Sequence, residues 1–182
     1  MLNLLWKSDL HSMPISIACK QDIPLLVALI NSAYRGDASK KGWTTEADLL
    51  KGELRTDIST LSTLIDNQQA VILKYTTEED AIAGSVYLEI QDKGLYLGML
   101  TVSPLLQAGG IGRQLLVAAE EYAKEKKCPR IFMSVISVRH ELIAWYERHG
   151  YKNSGEIKPF PDDNRFGIPT QPLEFIILEK MI

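Results

Sequence analysis

The segment Gln107-Ala-Gly-Gly-Ile-Gly-Arg113 carries the clearest chemical signal in the chain. It follows a strand-like run that ends in Leu-Thr-Val-Ser-Pro104, and it precedes an amphipathic run over residues 111–126. Glycines that lead into a helix leave backbone N–H groups uncovered beside the positive end of the helix dipole. The segment therefore predicts a phosphate-binding turn at a helix start.

Two other phosphate-binding loops have a different spacing. The dinucleotide-binding fingerprint needs a third glycine where this chain has Leu115. The P-loop needs Gly-Lys-Ser/Thr, and the chain has Gly112-Arg-Gln. What remains is a Gln-x-x-Gly-x-Gly pattern that opens a helix after a strand ending in Val-x-Pro, with an ordinary glycine-rich helix start as the alternative.

A second informative segment is Glu-Leu-Ile-Ala-Trp-Tyr-Glu-Arg-His-Gly-Tyr, residues 141–151. Its larger side chains recur every three or four residues, which predicts one face of a helix. Gly150 stands where a helix commonly ends on a left-handed residue. The residues on the predicted face are Leu142, Trp145, Tyr146 and His149.

Together the two segments, about 30 residues apart, resemble the hallmarks of the GNAT superfamily of N-acetyltransferases. The resemblance implies an α/β (α+β) fold with a mixed, mostly antiparallel sheet of about seven strands, flanked by about four helices. It also implies acetyl-CoA as co-substrate, held where the strand before the glycine loop and the strand after the long helix splay apart.

The resemblance further implies roles for particular residues. The amide of Leu100 would polarise the thioester carbonyl, and Tyr146 would donate a proton to the departing sulfur. The alternative for Tyr146 is a buried aromatic residue whose hydroxyl binds the backbone. The residues expected to contact acetyl-CoA are Leu100, Thr101, Val102, Gln107, Ala108, Gly109, Gly110, Ile111, Gly112, Arg113 and Arg139.

Two positions depart from the family pattern. Many relatives carry a glutamate near the position of Gly98-Met99, so the general base is left without an assignment. Arg139 replaces an asparagine that many relatives use, and it would either contact the cofactor or cap the following helix. The carboxylates considered as a base are Glu46, Asp48 and Glu89, with a chain of water molecules as the alternative.

The resemblance places the acceptor against residues 34–48. Trp43 would cover an apolar part of the acceptor, and the alternative is an ordinary capped loop. A second wall is expected from residues 159–172, which include Phe160 and Phe166. The residues expected to contact the acceptor are Tyr34, Trp43, Thr44 and Glu46.

Hydrophobic periodicity and turn residues outline the elements that position these groups. Asp22 is expected to cap the first helix, and Thr45-x-x-Asp48 is expected to start the second. The helices are predicted at residues 23–34, 45–54, 58–65, 111–126 and 139–149. The strands are predicted at residues 15–20, 70–75, 81–90, 95–102, 130–136, 151–158 and 173–180.

Composition limits the class of protein. A chain of 182 residues with 46% hydrophobic content is long enough for one domain with a true core. Its formal charge of −3 provides no basic surface for nucleic acid. Residues 1–12 are too short and too charged for a secretion signal or a membrane span, so we expect an N-terminal extension followed by a single domain over residues 13–182.

The cysteines and histidines give no sign of a metal. Cys19 and Cys128 lack the spacing of a disulfide framework or a metal site, which favours a reducing, cytoplasmic location. The three histidines form no ligand pair, so no metal is expected.

The sequence predicts an acetyl-CoA-dependent N-acetyltransferase that acts on a primary amine of a small molecule by direct attack on the thioester. The alternatives are a protein N-terminal or lysine acetyltransferase, and a non-catalytic acyl-CoA sensor. The sequence leaves open whether the chain forms a homodimer.

Overall fold

The fold is described from a computed structural model, which covers residues 14–163, 165 and 167–182. The helices are α1 (Ile23–Tyr34), α2 (Gly36–Ser39), α3 (Ile58–Asp66), α4 (Ile111–Glu125) and α5 (His140–Arg148), and a 3-10 turn spans Lys20–Asp22. The strands are β1 (Ile15–Ile17), β2 (Leu50–Lys51), β3 (Ala70–Thr76), β4 (Ile82–Gln91), β5 (Gly94–Val102), β6 (Arg130–Ile136), β7 (Lys152–Pro159), β8 (Ile168–Pro169) and β9 (Glu174–Met181).

Seven strands form the central sheet in the order β1-β3-β4-β5-β6-β9-β7. Every neighbouring pair is antiparallel except β5 and β6. The predicted fold class is therefore confirmed, and β3, β4 and β5 form an antiparallel meander. The extension expected at residues 1–12 lies outside the described residues.

The strands β5 and β6 separate after a short contact. Their parallel pairing covers only Leu95 with Ile131 and Tyr96 with Phe132, although β5 continues to Val102 and β6 to Ile136. The unpaired halves of the two strands therefore form the sides of a gap in the middle of the sheet.

Helices close both faces of the sheet. One core packs α4 and α5 against the sheet through residues such as Leu115, Ile131 and Tyr151. The other packs α1 and α3 on the opposite face through Leu26 and Leu61. A Cβ at Gly84 would lie 2.8 Å from Cγ2 of Ile111, so a glycine is needed on β4 for α4 to approach this closely.

The helix predicted at residues 45–54 is wrong. These residues form turns and the short strand β2, which pairs with β8 through Leu50 and Pro169. The Thr45 hydroxyl contacts Ser39 Oγ and accepts a hydrogen bond from the Ala47 amide, instead of capping a helix. The preceding residues, expected to be a loop, contain the short helix α2.

The role expected of Asp22 is also wrong, although α1 begins where predicted. The Asp22 carboxylate accepts hydrogen bonds from the Cys19 amide at 2.8 Å and from Lys74 Nζ at 2.7 Å. It therefore closes the preceding 3-10 turn, and its side chain makes no capping bond to α1.

The last two long strands, β7 and β9, lie close to their predicted positions and pair with each other in the antiparallel direction. In the segment between them Phe160 stacks on Phe175 with ring centroids 5.1 Å apart, while Phe166 lies outside the described residues. In the described part of the chain, the helices are too short or too polar to cross a bilayer.

Candidate active site

The start of α4 leaves several backbone donors open. Gly110 precedes the helix with a φ of 81°, and the first helical hydrogen bond joins the Gln114 amide to the Gly110 carbonyl at 3.0 Å. Within the described residues, the amides of Ile111, Gly112 and Arg113 donate to no backbone acceptor outside the helix. A Cβ at Gly110 would meet nothing within 4 Å, and Gly110, Ile111, Gly112 and Arg113 all line the cleft described below.

Gln107 joins this loop to the opposite wall of the site. Its Oε1 accepts a hydrogen bond from the Trp43 amide at 2.9 Å. Its Nε2 donates to Thr44 Oγ1 at 2.9 Å and to the Val102 carbonyl at 3.2 Å. The side chain of Gln107 is thus used within the protein, although we expected it to contact acetyl-CoA.

A bulge in β5 sets the geometry beside the gap. The pairing of β4 with β5 shifts register, so that Met99 and Leu100 have no Cα partner on β4. Met99 has a φ of 47°, an uncommon conformation for a residue with a side chain. The Tyr34 hydroxyl donates to the Leu100 carbonyl at 2.5 Å and fastens α1 to this bulge.

Helix α5 contributes a row of aromatic rings. The Trp145 ring centroid lies 5.0 Å from that of Tyr146 and 5.8 Å from that of Trp43. His149 contacts the same indole and places Nδ1 2.8 Å from the Trp145 carbonyl. These contacts fix Tyr146 at the bottom of the site, where 5% of the residue remains exposed.

These elements enclose a cleft of about 320 Å³. It brings together most of the residues that the sequence singled out from the glycine loop, β5, the acceptor wall and α5. The lining residues are Tyr34, Trp43, Thr44, Leu100, Val102, Gln107, Ala108, Gly110, Ile111, Gly112, Arg113, Arg139, Leu142, Trp145 and Tyr146.

The two tyrosines of the cleft keep their protons at neutral pH. Burial raises the pKa of Tyr146 well above its usual value, and the charge of Arg139 opposes that shift. Burial also raises the pKa of Tyr34, with a further increase from the Glu46 carboxylate. Among the described residues, the Tyr146 hydroxyl makes no hydrogen bond, so the backbone-bound alternative does not describe it.

Glu46 is held by arginines behind the cleft wall. Its Oε2 lies 2.6 Å from Arg35 NH1, and its Oε1 lies 3.3 Å from Arg139 NH1. Arg55 Nε is 3.8 Å from the same carboxylate. We expected Glu46 to contact the acceptor, but it does not line the cleft, and its side chain is only 9% exposed.

Four other candidates also lie outside the lining. The Thr101 side chain is buried and donates to the Met99 carbonyl, and Gly109 lies in the loop without lining the cleft. The Asp48 side chain is 83% exposed near Lys40. Glu89 accepts hydrogen bonds from Asn67 and Gln91. Neither of these carboxylates is therefore placed to act as a base in the cleft.

Sequence reasoning did not assign Leu142 and Trp145 to the site. The available signal was their position on the predicted helix, since Leu142 precedes Tyr146 by four positions and Trp145 precedes it by one. Arg35 and Arg55 were also missed, and nothing in their local sequence marks them.

Comparison with known proteins identifies this arrangement. The model of the acetyltransferase (GNAT) family matches residues 29–151. A ribosomal-protein-alanine N-acetyltransferase from Brucella melitensis is similar over 92% of this chain and 99% of its own, with 18% identity and a TM-score of 0.69. A candidate acetyltransferase from Salmonella typhimurium, solved with its cofactor acetyl-CoA, is similar over 93% of each chain, with 16% identity and a TM-score of 0.68.

A third similar structure also contains the cofactor. It is a candidate streptothricin acetyltransferase from Bacillus anthracis in complex with acetyl coenzyme A, which is 19% identical over 72% of each chain with a TM-score of 0.59. These likenesses support the fold, and the family model covers well over half of the chain. The chain therefore belongs to the acetyltransferase (GNAT) family and is an N-acetyltransferase with acetyl-CoA as its co-substrate.

Proposed function

We propose that the protein acetylates a primary amine of a small molecule by direct attack of the amine on the thioester. The observation that carries this proposal is one continuous cleft. It runs from the open amides at the start of α4 to the Tyr146 hydroxyl, which has a free proton to donate. Acetyl-CoA supplies the activated acyl group and a thiol leaving group to this cleft.

The residues that line the cleft fit the diphosphate of acetyl-CoA and its extended, amide-rich arm. The amides of Ile111 and Gly112 and the charge of Arg113 provide donors at the positive end of α4. The β5 edge around Leu100 and Val102 faces the gap left by β6 and offers backbone groups to an amide-rich chain.

Tyr146 and Leu100 are proposed to act at the reacting group. The Leu100 amide, on the bulge of β5, is the proposed donor to the thioester oxygen. Tyr146 donates its proton toward the sulfur, and the proton lost by the attacking amine restores it. Because burial holds its pKa high, Tyr146 stays in the donating form throughout the neutral range.

A carboxylate base is missing from the lining of the cleft in the described part of the chain. Deprotonating an ordinary alkylamine at pH 7 costs about 4 to 5 kcal/mol, at roughly 1.36 kcal/mol per pKa unit. We propose that water takes up this ammonium proton before the attack, so that the amine binds as the free base; the second proton, lost after the attack, is the one that restores Tyr146. An acceptor of low pKa is therefore favoured.

The wall around Trp43 favours a small acceptor over a protein chain. Trp43 contacts Trp145 across the cleft, and Gln107 holds its backbone. Some structural relatives are named for protein substrates and others for antibiotics. The contact between these two indoles is the observation that favours a small acceptor over a protein terminus.

The test measures thiol release from acetyl-CoA across a panel of small amines and short peptides. We expect amine-dependent release with at least one small amine and none with the peptides. Turnover of peptides alone would favour a protein acetyltransferase. Tight acetyl-CoA binding without release by any amine would favour a non-catalytic sensor.

A further inference from the structure

The acceptor side of the cleft carries more positive than negative charge. The Glu46 carboxylate is already engaged by Arg35 at 2.6 Å, yet Arg139 and Arg55 also approach it, at 3.3 and 3.8 Å. Among the described residues, neither Arg139 nor Arg55 is paired with a second carboxylate. Two guanidinium charges therefore remain without a full counter-charge.

Arg139 faces the cleft with most of its donors unused. It lines the cleft, and its side chain is only 8% exposed. A guanidinium group has five N–H donors, and the single side-chain bond of Arg139 within the described residues is the 3.3 Å contact with Glu46. Burying a cation whose N–H groups have no acceptors costs free energy, and a bound anion that accepts those hydrogen bonds lowers this cost.

Arg139 and Tyr146 belong to one surface of the site. Arg139 is the N-cap residue that precedes α5, Tyr146 lies on that helix, and both line the cleft. Arg55 lies over the Tyr34 ring, with its Cζ 5.7 Å from the ring centroid. Arg139 lines the same cleft as Tyr146 and is therefore available to the other end of a ligand whose amine lies near Tyr146, while Arg55 lies outside the lining.

The phosphates of the co-substrate are a poor match for Arg139. Their proposed seat is the start of α4, which has its own amide donors and Arg113. Arg139 is instead tied to Glu46, next to the wall that holds Trp43 and Thr44. Its free donors consequently point to a group on the acceptor.

We propose that the acceptor amine also carries a carboxylate, as an amino acid or a close analogue does, and that Arg139 binds this carboxylate with Arg55 as a second cation. This inference rests on the proposed function. The same positive charge disfavours a bound ammonium ion and favours the neutral amine that attacks. The same charge repels the additional ammonium groups of polyamines, so polyamines are poor acceptors.

The test compares amino acids with the amines obtained by removing their carboxylate. The measured quantity is the ratio of kcat/KM within each pair, for example phenylalanine against phenethylamine and methionine against 3-(methylthio)propylamine. A charge-assisted hydrogen-bonded pair corresponds to about 10- to 100-fold. We expect at least one amino acid to exceed its amine by that factor, and spermidine to be a poor acceptor.

Substitutions of individual arginines test which residue causes the preference for the carboxylate. Arg139→Gln should reduce the ratio to near 1, Arg55→Gln should reduce it less, and Arg139→Lys should keep part of it. Arg148→Gln, on the exposed end of the same helix, is the matched control and should leave the ratio unchanged. Circular dichroism and acetyl-CoA binding establish that each variant is folded.

Two results would overturn the inference while the proposed function stands. One is acetylation of the decarboxylated amines at rates equal to or above those of the amino acids. The other is an equal loss for both members of a pair in Arg139→Gln, which would assign Arg139 to the chemistry of the thioester. If neither kind of amine is acetylated, the proposed function itself fails, and calorimetry with N-acetylated amino acids and CoA then tests carboxylate binding directly. Absence of such binding would overturn the inference as well.

Discussion

The hydroxyl of Tyr34 donates a hydrogen bond of 2.5 Å to the carbonyl of Leu100. Tyr34 ends helix α1, and Leu100 lies in the bulge of β5, so the bond links the acceptor wall to the strand that borders the gap. Both residues line the cleft. The position of the proposed oxyanion donor thus depends on the end of a helix 66 residues earlier in the chain.

Replacing Tyr34 with phenylalanine removes this link. The Leu100 carbonyl then loses a partner, so we expect the free energy of unfolding to fall by about 1 to 2 kcal/mol and kcat/KM to decrease as the bulge relaxes. Urea denaturation and steady-state kinetics measure the two effects. Tyr75→Phe is the control because the Tyr75 hydroxyl has no hydrogen bond among the described residues. Equal stability of the two variants would contradict the prediction.

A carboxylate placed at Gly110 should compete with the diphosphate. We expect Gly110→Asp to raise the Kd for acetyl-CoA by about 10-fold or more, because it puts a negative charge at the open helix start. Gly155→Asp is a matched control, since Gly110 and Gly155 have φ values of 81° and 83° and open space at the Cβ position. Calorimetric titration compares them, and a similar loss of affinity in both variants would argue against the site.

Loss of the Tyr146 hydroxyl should affect turnover more than binding. A general acid contributes about 10²- to 10⁴-fold, so Tyr146→Phe should lower kcat by at least 10-fold with a nearly unchanged Kd for acetyl-CoA. The neighbouring Tyr151, whose ring centroid lies 5.7 Å from that of Tyr146, provides the control variant Tyr151→Phe. Undiminished turnover in Tyr146→Phe would remove this residue from the mechanism.

Tyr151 itself should limit stability in alkali. Burial raises the pKa of Tyr151, and its buried hydroxyl has no partner among the described residues. Above about pH 10 the unfolded chain releases this proton and the folded protein retains it, so stability falls as the pH rises. Tyr151→Phe should be up to about 1 kcal/mol more stable than the parent at pH 7, with a larger advantage at pH 11. Urea denaturation at several pH values measures this advantage, and a constant difference would contradict the assignment.

Local sequence patterns were sufficient for most elements. The bounds of β6 are those predicted at residues 130–136, and α4 differs from its prediction by one residue at its end. In these segments the spacing of the apolar residues and the glycines at the segment ends agree with which side chains are buried against the sheet. The cleft could be anticipated for the same reason, because its loop and α5 have local signatures.

The failures involve contacts between distant residues. A helix was predicted over residues 45–54, yet Leu50 pairs with Pro169 in β8 and Leu54 is 49% exposed. Arg139 meets Glu46 across 93 residues of sequence, and Arg35 meets it across 11. A pattern of local spacing contains no information about such pairs, which are fixed only when the chain closes on itself.

The side-chain amide of Gln107 connects the phosphate-binding turn to the wall of the cleft at Trp43. One side chain fastens the phosphate turn to the backbone at Trp43, and a Cβ at Gly42 would lie 2.7 Å from that amide. A change in the position of the turn would therefore also move the backbone of Trp43, the residue proposed to contact the acceptor. The geometry of the turn and that of the proposed acceptor wall thus depend on one side chain.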